Sequence, residues 1–440
     1  MSKAIAPEFF FSLIFCLVSQ LAPAKDAETV FADALDYTVR VKSAFETPFI
    51  EDQIGVFNGA GFVVDSKRRW VMTNAHVAGH SPSKVQVALH GDSFASAEKI
   101  YVDPYLDLAI LALGDEQGQS LQKAPLECDR KPGTGHPVGA FGHPWGLDYT
   151  GTQGVISGNT ANFGGELLQT DAPINGGNSG GPLISLKSGA VIGINSSRLD
   201  NAEDQNTNFA VSMQHACRVL KLLADGKDPS PPELPLIFFD MAEETDPLIV
   251  AKSYLDPDLL ALQSNDEILF VDDTPIANEG QLIHELRGKL DDITLTVRRD
   301  GEKIKLSGRL SPAPRVVERR GITFAGILLA PGRFRDQAML GLGHDIMVHR
   351  VAAGSDGQAS ELVQYDYLVS INGVRITGLD HAYQTLMSQA TVNPVRLDFL
   401  RVMGGYGEDH HLFYSVRREF TGNMPEKIGA WQANRFSRAE

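Results

Sequence analysis

The stretch that decides the fold is Asp171–Leu183, which reads Asp-Ala-Pro-Ile-Asn-Gly-Gly-Asn-Ser-Gly-Gly-Pro-Leu. Its glycines allow a sharp turn and leave no Cβ in the path of an incoming carbonyl group. The stretch therefore predicts a nucleophilic Ser179 beside an oxyanion hole, formed by the N–H groups of Gly177 and Ser179 with Asn178 as a further member. A surface turn rich in glycine and serine would look the same if it stood alone.

Two upstream segments supply the partners that a serine nucleophile needs. A hydroxyl is a weak nucleophile and requires a general base, which an acid must orient. Val71–Val77 is an apolar run that contains His76, and Asp107 directly precedes the apolar run Leu108–Leu113. The chain order His, Asp, Ser is that of chymotrypsin-type double barrels, and it differs from the order in subtilisin and in the α/β-hydrolases. A lone His or Asp is usually structural, but three motifs in this order favour a catalytic triad.

These motifs resemble those of the HtrA/Deg family of trypsin-fold serine proteases. The matching segments are Asn-Ala-His-Val, Asp-Leu-Ala-Ile-Leu and Gly-Asn-Ser-Gly-Gly-Pro-Leu, with Gln169–Ala172, Gly139–Gly146, Gly154–Gly158 and Val191–Asn195. The resemblance implies a serine endopeptidase in which His76 is the general base, Asp107 its orienting acid and Ser179 the nucleophile. Many relatives carry Arg or Pro where this chain has Gly176, which predicts a more mobile loop before the nucleophile.

The same resemblance suggests a preference for substrate residues. In trypsin-fold enzymes the residue six positions before the nucleophile lies at the base of the pocket for the substrate side chain, and Asp there selects Arg or Lys. This chain has Pro173 at that position, followed by Ile174. We therefore expect a small apolar pocket that accepts Val, Ala, Ile or Leu. The strand Gly193–Ser197, with Asn195 and Ser196, is expected to line the pocket and to pair with the substrate backbone.

Length and composition describe a globular protein of several domains. The chain has 440 residues, of which 43% are hydrophobic and 21% charged, so we expect roughly two to four domains. Its formal net charge of −16 argues against a general nucleic-acid-binding protein, which needs a basic face. No cluster of Cys and His has the spacing of a zinc site, and the inferred chemistry implies no metal and no cofactor.

The N-terminus reads as a secretory signal peptide over Met1–Ala24. Lys3 supplies a positive charge, Phe9–Leu21 is apolar, and small residues precede Lys25. The segment predicts export to the periplasm or out of the cell, with a retained membrane anchor as the alternative. Cleavage would leave two cysteines, Cys128 and Cys217, and their spacing does not decide whether they pair.

The order of elements predicts a mainly β protein, with a chymotrypsin-like double β-barrel protease domain followed by two PDZ-like α+β domains. Short apolar runs after Gly59 indicate two antiparallel barrels, and Met213–Ala224 indicates a closing helix. The proline-rich segment Asp225–Pro235 indicates a linker. The expected divisions are a signal peptide (1–24), a protease domain (25–225), a linker (226–235), PDZ-like domain 1 (236–310), a second linker (311–320), PDZ-like domain 2 (321–418) and a tail (419–440).

The PDZ-like modules predict peptide binding. PDZ domains bind a chain end by strand addition and hold its carboxylate in a glycine-containing loop. Phe324–Ile327 is the candidate loop in the second module, whereas Leu236–Phe239 of the first lacks glycine. C-terminal peptides are therefore expected at the second module, and either module could instead serve assembly or cover the protease.

The resulting hypothesis is an exported, ATP-independent endoprotease that cleaves unfolded or damaged polypeptides. Its alternatives are a peptide-binding chaperone or scaffold with little proteolysis, and a regulatory protease that cuts one specific membrane protein. The family resemblance also implies a homotrimer or higher oligomer, assembled through an N-terminal aromatic segment. Ordinary packing onto the first barrel is the alternative for these side chains, which are Phe31, Tyr37, Phe45 and Phe49.

Overall fold

A computed structural model describes residues 26–115, 121–143, 149–160, 167–196, 207–239, 247–289, 291–332, 346–389, 394–403 and 412–431. The structural statements below concern these residues. The expected signal peptide lies outside them, as do the end of the Gly139–Gly146 motif and Ser197.

The first barrel follows a short N-terminal helix. Asp26 caps this helix by accepting a hydrogen bond from the Thr29 N–H group at 2.7 Å. The elements are α1 (Ala27–Leu35), β1 (Thr38–Phe45), β2 (Gly55–Asp65), β3 (Trp70–Thr73), α2 (Ala75–Ala78), β4 (Lys84–Ala88), β5 (Ala95–Asp103) and β6 (Leu108–Leu113). The strands close in the order β1-β2-β3-β6-β5-β4. Fully buried side chains alternate with half-buried ones along β1 from Val39 onward, because successive residues of a strand point to opposite faces.

The second barrel repeats this arrangement and ends in a helix. Its elements are β7 (Pro137–Gly142), β8 (Thr150–Thr160), β9 (Leu167–Thr170), β10 (Pro182–Ser185), β11 (Val191–Ser196), β12 (Asn208–Ser212) and α3 (Met213–Ala224). The strands close in the order β10-β11-β12-β9-β8-β7. A disulfide joins Cys128, between the barrels, to Cys217 on α3. The double β-barrel expected from the sequence is confirmed.

Two smaller modules follow, each with a sheet and a helix laid against it. The first module contains β13 (Leu236–Phe238), β14 (Val250–Ser253), β15 (Glu267–Val271), β16 (Thr274–Pro275), α4 (Glu279–Leu286), β17 (Ile293–Arg299) and β18 (Glu302–Gly308). A 3-10 helix, Val316–Glu318, precedes the second module. The second module contains β19 (Arg320–Phe324), β20 (Ile327–Pro331), β21 (Ile346–Val351), α5 (Asp356–Ala359), β22 (Asp366–Ile371), β23 (Val374–Arg375), α6 (Leu379–Gln389), β24 (Val395–Met403), β25 (Leu412–Phe420) and β26 (Glu426–Gly429).

An ion pair recurs at the same place in both modules and supports their common fold. Asp266 precedes β15 and binds Arg299 at the end of β17, with Oδ1–Nε at 2.7 Å. Asp366 begins β22 and binds Arg401 of β24, again with Oδ1–Nε at 2.7 Å. Both carboxylates are fully buried. The α+β architecture of the two modules therefore matches the expected PDZ-like fold.

The structure of the second module differs from the expected one at two places. Phe324–Ile327 is a tight hairpin turn between β19 and β20, because Ala325 and Gly326 both adopt positive φ (53° and 77°). The carbonyls of Ala325 and Gly326 accept hydrogen bonds from the N–H groups of Gly357 and Ala352. The tail does not begin at residue 419 either, since β25 runs to Phe420 and β26 joins the same sheet.

The N-terminal aromatic side chains pack within their own chain. Phe31 stacks on Phe141 of β7, with ring centroids 5.5 Å apart. Phe49 is 1% exposed and meets the ring of His349 in the second module, with centroids 5.2 Å apart. This segment was expected either to assemble an oligomer or to pack within its own chain. The contacts described are of the second kind.

Candidate active site

His76 and Asp107 meet at one end of the first barrel. His76 lies in the short helix α2, directly after β3, and Asp107 directly precedes β6. The His76 Nδ1 atom lies 2.8 Å from Asp107 Oδ2 and 3.0 Å from Oδ1. The His76 backbone N–H also donates to Oδ1, at 3.0 Å. Because Nδ1 carries the proton shared with the carboxylate, Nε2 remains as the nitrogen that accepts a proton.

The Asp107 carboxylate is further fixed by contacts that the sequence did not reveal. Ser196 Oγ donates to Asp107 Oδ2 at 3.0 Å. Asn74 Nδ2 donates to the Asp107 backbone carbonyl at 2.9 Å. The backbone of Asp107 itself has a positive φ of 51°, a conformation that a residue other than glycine adopts only where its surroundings hold it there. The orienting acid is therefore held through both its side chain and its backbone.

Ser179 lies in a loop between β9 and β10 whose shape depends on glycine. Gly177 and Gly180 have φ values of 106° and 84°. A Cβ at Gly180 would lie 2.2 Å from both the Ala60 carbonyl oxygen and Thr73 Oγ1, so only glycine fits this close approach. The Ser179 carbonyl accepts the N–H of Ala60 at 2.8 Å. These contacts hold the nucleophile loop of the second barrel against β2 of the first.

Gly59 of β2 brings the nucleophile loop next to the helix that carries the histidine. A Cβ at this position would lie 2.5 Å from the Val77 side chain and 3.0 Å from the Ser179 carbonyl oxygen. Val77 is the neighbour of His76 in α2. Gly59 thus lies between the Ser179 backbone and the helix that carries His76, and the side chains of His76 and Asp107 remain 25% and 16% exposed.

One expected member of the oxyanion hole is wrong. The Asn178 N–H donates to the Asn175 carbonyl at 2.9 Å, so it is not available to a substrate oxyanion. The Asn178 side chain is buried and packs on Gly142, where a Cβ would lie 2.7 Å from Asn178 Oδ1. Asn178 therefore shapes the loop from inside, and Gly177 and Ser179 remain as the candidate donors.

His143 supports the same loop from behind. Its backbone N–H contacts the Gly177 carbonyl at 3.4 Å, and its Nε2 lies 2.6 Å from the Gly59 carbonyl. Burial lowers the pKa of His143, so the ring is neutral near pH 7 and donates Nε2–H to that carbonyl. This contact gives the first part of the Gly139–Gly146 motif a structural role.

The two residues before the nucleophile loop have different surroundings. Pro173 is exposed, and its carbonyl accepts a hydrogen bond from Thr152 Oγ1 at 2.7 Å. Ile174 is only 3% exposed and packs with Ala172 and Ile192 in the core of the second barrel. Ile174 therefore contributes to a buried apolar cluster, while Pro173 stands at the surface beside it.

The side chains of Asn195 and Ser196, which were expected to line the substrate pocket, make contacts with the rest of the site. Asn195 is fully buried, and its Nδ2 donates to the Pro182 carbonyl at 3.1 Å. Its backbone exchanges hydrogen bonds with Gly180 and Gly181, so it anchors the nucleophile loop. Ser196 binds Asp107, as described above. Their strand, β11, is paired with β10 as far as Ile194 and with β12 from Gly193 to Ser196.

The side chain of Lys99 binds the backbone of the loop that follows α2. Lys99 Nζ donates to the carbonyls of Gly79 and Ser81, at 3.2 and 2.6 Å. Burial lowers the pKa of Lys99 to about 8, which still leaves the amine mostly charged near pH 7. Asp52 accepts from the Ser81 N–H at 2.7 Å and from His80 Nδ1 at 3.1 Å. The backbone directly beyond His76 is therefore held by charged groups on neighbouring segments.

Comparisons with known proteins agree with this geometry. Residues 59–194 match the trypsin-like peptidase domain. The serine endoprotease DegS of Escherichia coli strain K12 is 36% identical over 180 residues, which are 38% of this chain and 49% of DegS. The serine protease HhoA of a Synechocystis strain is 33% identical over 248 residues, which are 51% of this chain and 60% of HhoA. The chain thus spans about half to three fifths of the length of these curated relatives.

Solved structures show the same fold over a larger part of the chain. A serine endoprotease from Yersinia pestis has a TM-score of 0.50 and 26% identity, and it aligns over 65% of this chain and 98% of its own. The HtrA-type protease AlgW with a tripeptide has a TM-score of 0.53 at 24% identity, over 65% and 97% of the two chains, which supports the fold alone. The fold and the site define a trypsin-like serine peptidase domain. Within that class, the chain is similar to serine endoproteases named DegS and DegP-like.

Metal-binding groups and membrane-spanning helices were both considered among the residues that the structure describes. Within those ranges, no group of three or more His, Cys, Asp or Glu side chains could hold a metal ion. None of the helices described is long and apolar enough to cross a membrane.

Proposed function

We propose that the chain is a serine endopeptidase of the HtrA/Deg type in which Ser179 attacks the scissile carbonyl. His76 Nε2 accepts the hydroxyl proton and later delivers it to the leaving amine, while Asp107 stabilises the imidazolium that forms. The N–H groups of Gly177 and Ser179 hold the oxyanion of the tetrahedral intermediate. The observation that carries the proposal is the pairing of His76 Nδ1 with a carboxylate that Ser196 also binds.

We propose unfolded or damaged polypeptides as substrates, cleaved after small or branched apolar residues. The apolar surroundings of Ile174, and the absence of an acidic residue at Pro173, support this preference. Relatives named as serine endoproteases support an endoprotease, and the AlgW structures with a tripeptide and a decapeptide show that such a fold accommodates peptides. A single methylene in an apolar pocket changes binding by about 1–3 kcal/mol, so the preference should be broad.

We propose that the protein is exported and acts as a homotrimer or higher oligomer. The disulfide between Cys128 and Cys217 supports an oxidising compartment, and one relative is named as a periplasmic DegP-like protease. Apolar residues that stand exposed at and before β2 support a contact with another polypeptide: Ile54, Val56 and Phe57 are 54%, 56% and 40% exposed.

We further propose that the protease domain spans 25–225, the first module 236–310, and the second module 320–431.

Replacement of Ser179 by Ala tests the proposal. The variant is expected to fold and to lose casein cleavage on the order of a millionfold, because the alanine side chain cannot attack a carbonyl. Ser188→Ala is the matched control, since Ser188 is exposed in the turn between β10 and β11. Cleavage at the wild-type rate by Ser179→Ala would refute the nucleophile assignment.

Mass spectrometry of wild-type products tests the pocket, and cut sites dominated by Lys or Arg would refute the apolar preference.

A further inference from the structure

A buried ion pair joins the first module to the protease barrel. Arg287 follows α4, and its Nη1 lies 2.6 Å from Oδ2 of Asp103, the last residue of β5. Both side chains are fully buried. The same Nη1 donates to the Pro229 carbonyl at 2.7 Å. The desolvation of two charges offsets much of their attraction, so a buried pair is weak evidence for a role in stability alone.

Asp103 uses its two carboxylate oxygens for different purposes. Oδ1 accepts the N–H groups of Tyr105 and Leu106, both at 3.0 Å. Oδ2 faces Arg287 and also accepts from Tyr101 Oη at 2.9 Å. Tyr105 and Leu106 form the turn that leads directly into Asp107. One carboxylate therefore connects a guanidinium of the first module to the turn that carries the orienting acid of the triad.

We propose that Arg287 is a positioning residue for the catalytic triad, acting through Asp103 on the backbone of Asp107. The inference rests on the proposed endopeptidase function. Arg287 fixes the Asp103 carboxylate, Asp103 fixes the turn, and the turn holds Asp107 at its positive φ with its carboxylate toward His76. A shift of the acid by a fraction of an ångström would misorient the imidazole and slow proton transfer.

Loss of the guanidinium has a specific electrostatic consequence. A buried carboxylate that loses its cationic partner binds a proton more readily. Protonated Asp103 is a weaker acceptor for the Tyr105 and Leu106 N–H groups, so the turn should loosen as pH falls. The rate of the enzyme should then depend on a group that never touches the substrate.

The test begins with Arg287→Met in the full chain, assayed with a short chromogenic peptide that has an apolar residue before the scissile bond. We expect kcat to fall by about 100-fold while KM stays within about threefold of wild type. The pH profile of kcat/KM should gain an additional loss on its acid side. The proton NMR resonance of His76 Nδ1–H should shift or broaden, which reports the His76–Asp107 contact independently of turnover.

Two further variants distinguish the positioning of the triad by Arg287 from a role of Arg287 in attaching the first module to the barrel. In the double variant R287M/D103N, the amide oxygen still accepts both N–H bonds and no charge is left unpaired, so kcat should recover by about tenfold and the extra acid loss should vanish. Arg299→Met is the matched control, because Arg299 pairs with the buried Asp266 inside the same module. This control should keep the wild-type kcat and pH profile.

The outcomes distinguish the inference from the function on which it rests. A folded wild-type chain that cleaves no substrate contradicts the endopeptidase proposal itself. An active wild type, with an Arg287→Met variant whose kcat, pH profile and NMR resonance are unchanged, overturns the positioning role. A loss that D103N does not reverse also overturns it. Should Arg287→Met fail to fold, Arg287→Gln replaces it, since this side chain can still donate to Pro229, and absence of the acid loss in that variant overturns the inference.

Discussion

The two modules share an internal fold but contact the protease domain at different places. The first module reaches the Asp107 side, through the buried pair of Arg287 with Asp103. The second reaches the His76 side, where Arg319 donates to the His80 carbonyl at 3.2 Å, just beyond α2. The shared order of elements gives both modules a similar core. Their contacts with the protease domain differ because they depend on individual charged residues, Arg287 and Arg319.

The second module contacts the protease domain around the ring of Phe49. The Arg319 guanidinium lies 4.3 Å from the centre of the Phe49 ring and pairs with Glu51 at 3.1 Å. His349 Nδ1 accepts the Ile50 N–H at 3.3 Å, and its Nε2 lies 2.9 Å from the Pro331 carbonyl. A neutral His349 with its proton on Nε2 satisfies both contacts.

The modules also differ in the use of their outer strands. In the second module β26 pairs antiparallel with β19, from Arg320 opposite Gly429 to Thr323 opposite Glu426. Trp431 then donates from Nε1 to the Gly321 carbonyl at 3.0 Å and packs on the Tyr383 ring of α6. In the first module, the structure pairs β13 with β14 alone. An extended peptide can add to an open strand edge, whereas β26 already occupies the β19 edge in the second module.

Removal of the C-terminal segment should produce the largest change in this comparison. A chain ending at Gly422 lacks β26 and Trp431, and we expect the free energy of unfolding of the second module to fall by about 3 kcal/mol. Urea unfolding of the truncated and full chains measures this loss. The exposed β19 edge should then bind a fluorescent peptide of residues 424–440 at least tenfold more tightly than the full chain does. The same peptide with Trp431→Ala is the control and should bind weakly. Equal peptide binding by both chains would contradict the occupied edge.

As the pH falls, the second module should lose stability before the first module does. Burial, with a further contribution from Arg319 that outweighs the opposite effect of Glu51, lowers the pKa of His349 to about 4. Unfolded His has a pKa of about 6.5, so between these values the unfolded chain binds a proton that the folded chain rejects. Stability should therefore be complete above pH 6.5 and fall by about 2 kcal/mol as the pH drops toward 4.

Thermal unfolding at stepped pH tests the His349 prediction. His349→Asn removes the titrating group, so its melting temperature should depend less on pH than that of wild type over this window. His381→Asn is the control, because His381 is a half-buried residue of α6 that binds only nearby Thr377 in the contacts described. An unchanged pH dependence in His349→Asn would show that other groups carry the acid sensitivity.

The sequence predicted best those elements whose apolar residues are contiguous. Leu108–Leu113, an uninterrupted apolar run, has the same bounds in the sequence and in the structure. The strands β1 and β5 were missed, because polar residues such as Arg40 and Lys99 interrupt their apolar pattern. Their side chains gain partners only when the barrel closes.

The proposed triad could be read from the sequence, but the residues that contact it could not. His76, Asp107 and Ser179 occur in short motifs that show the chemistry in the sequence. The contacts of Ser196 with Asp107 and of Asn195 with the nucleophile loop join segments far apart in the chain. The link from Arg287 to Asp103 spans two modules, so no local pattern reveals it. The pairing of Cys128 with Cys217 likewise depended on the position of α3.

The most direct measurement of the central claim is covalent labelling of the full chain with a fluorophosphonate, followed by mass spectrometry of its peptides. Such a reagent reacts with a serine hydroxyl that an adjacent base activates. The account predicts a single adduct, on Ser179, whose rate of formation falls at least 100-fold in His76→Ala because Nε2 is lost. A folded chain that forms no adduct, an adduct on another serine, or an equal labelling rate in His76→Ala would contradict the assignment of Ser179 and His76 as nucleophile and base.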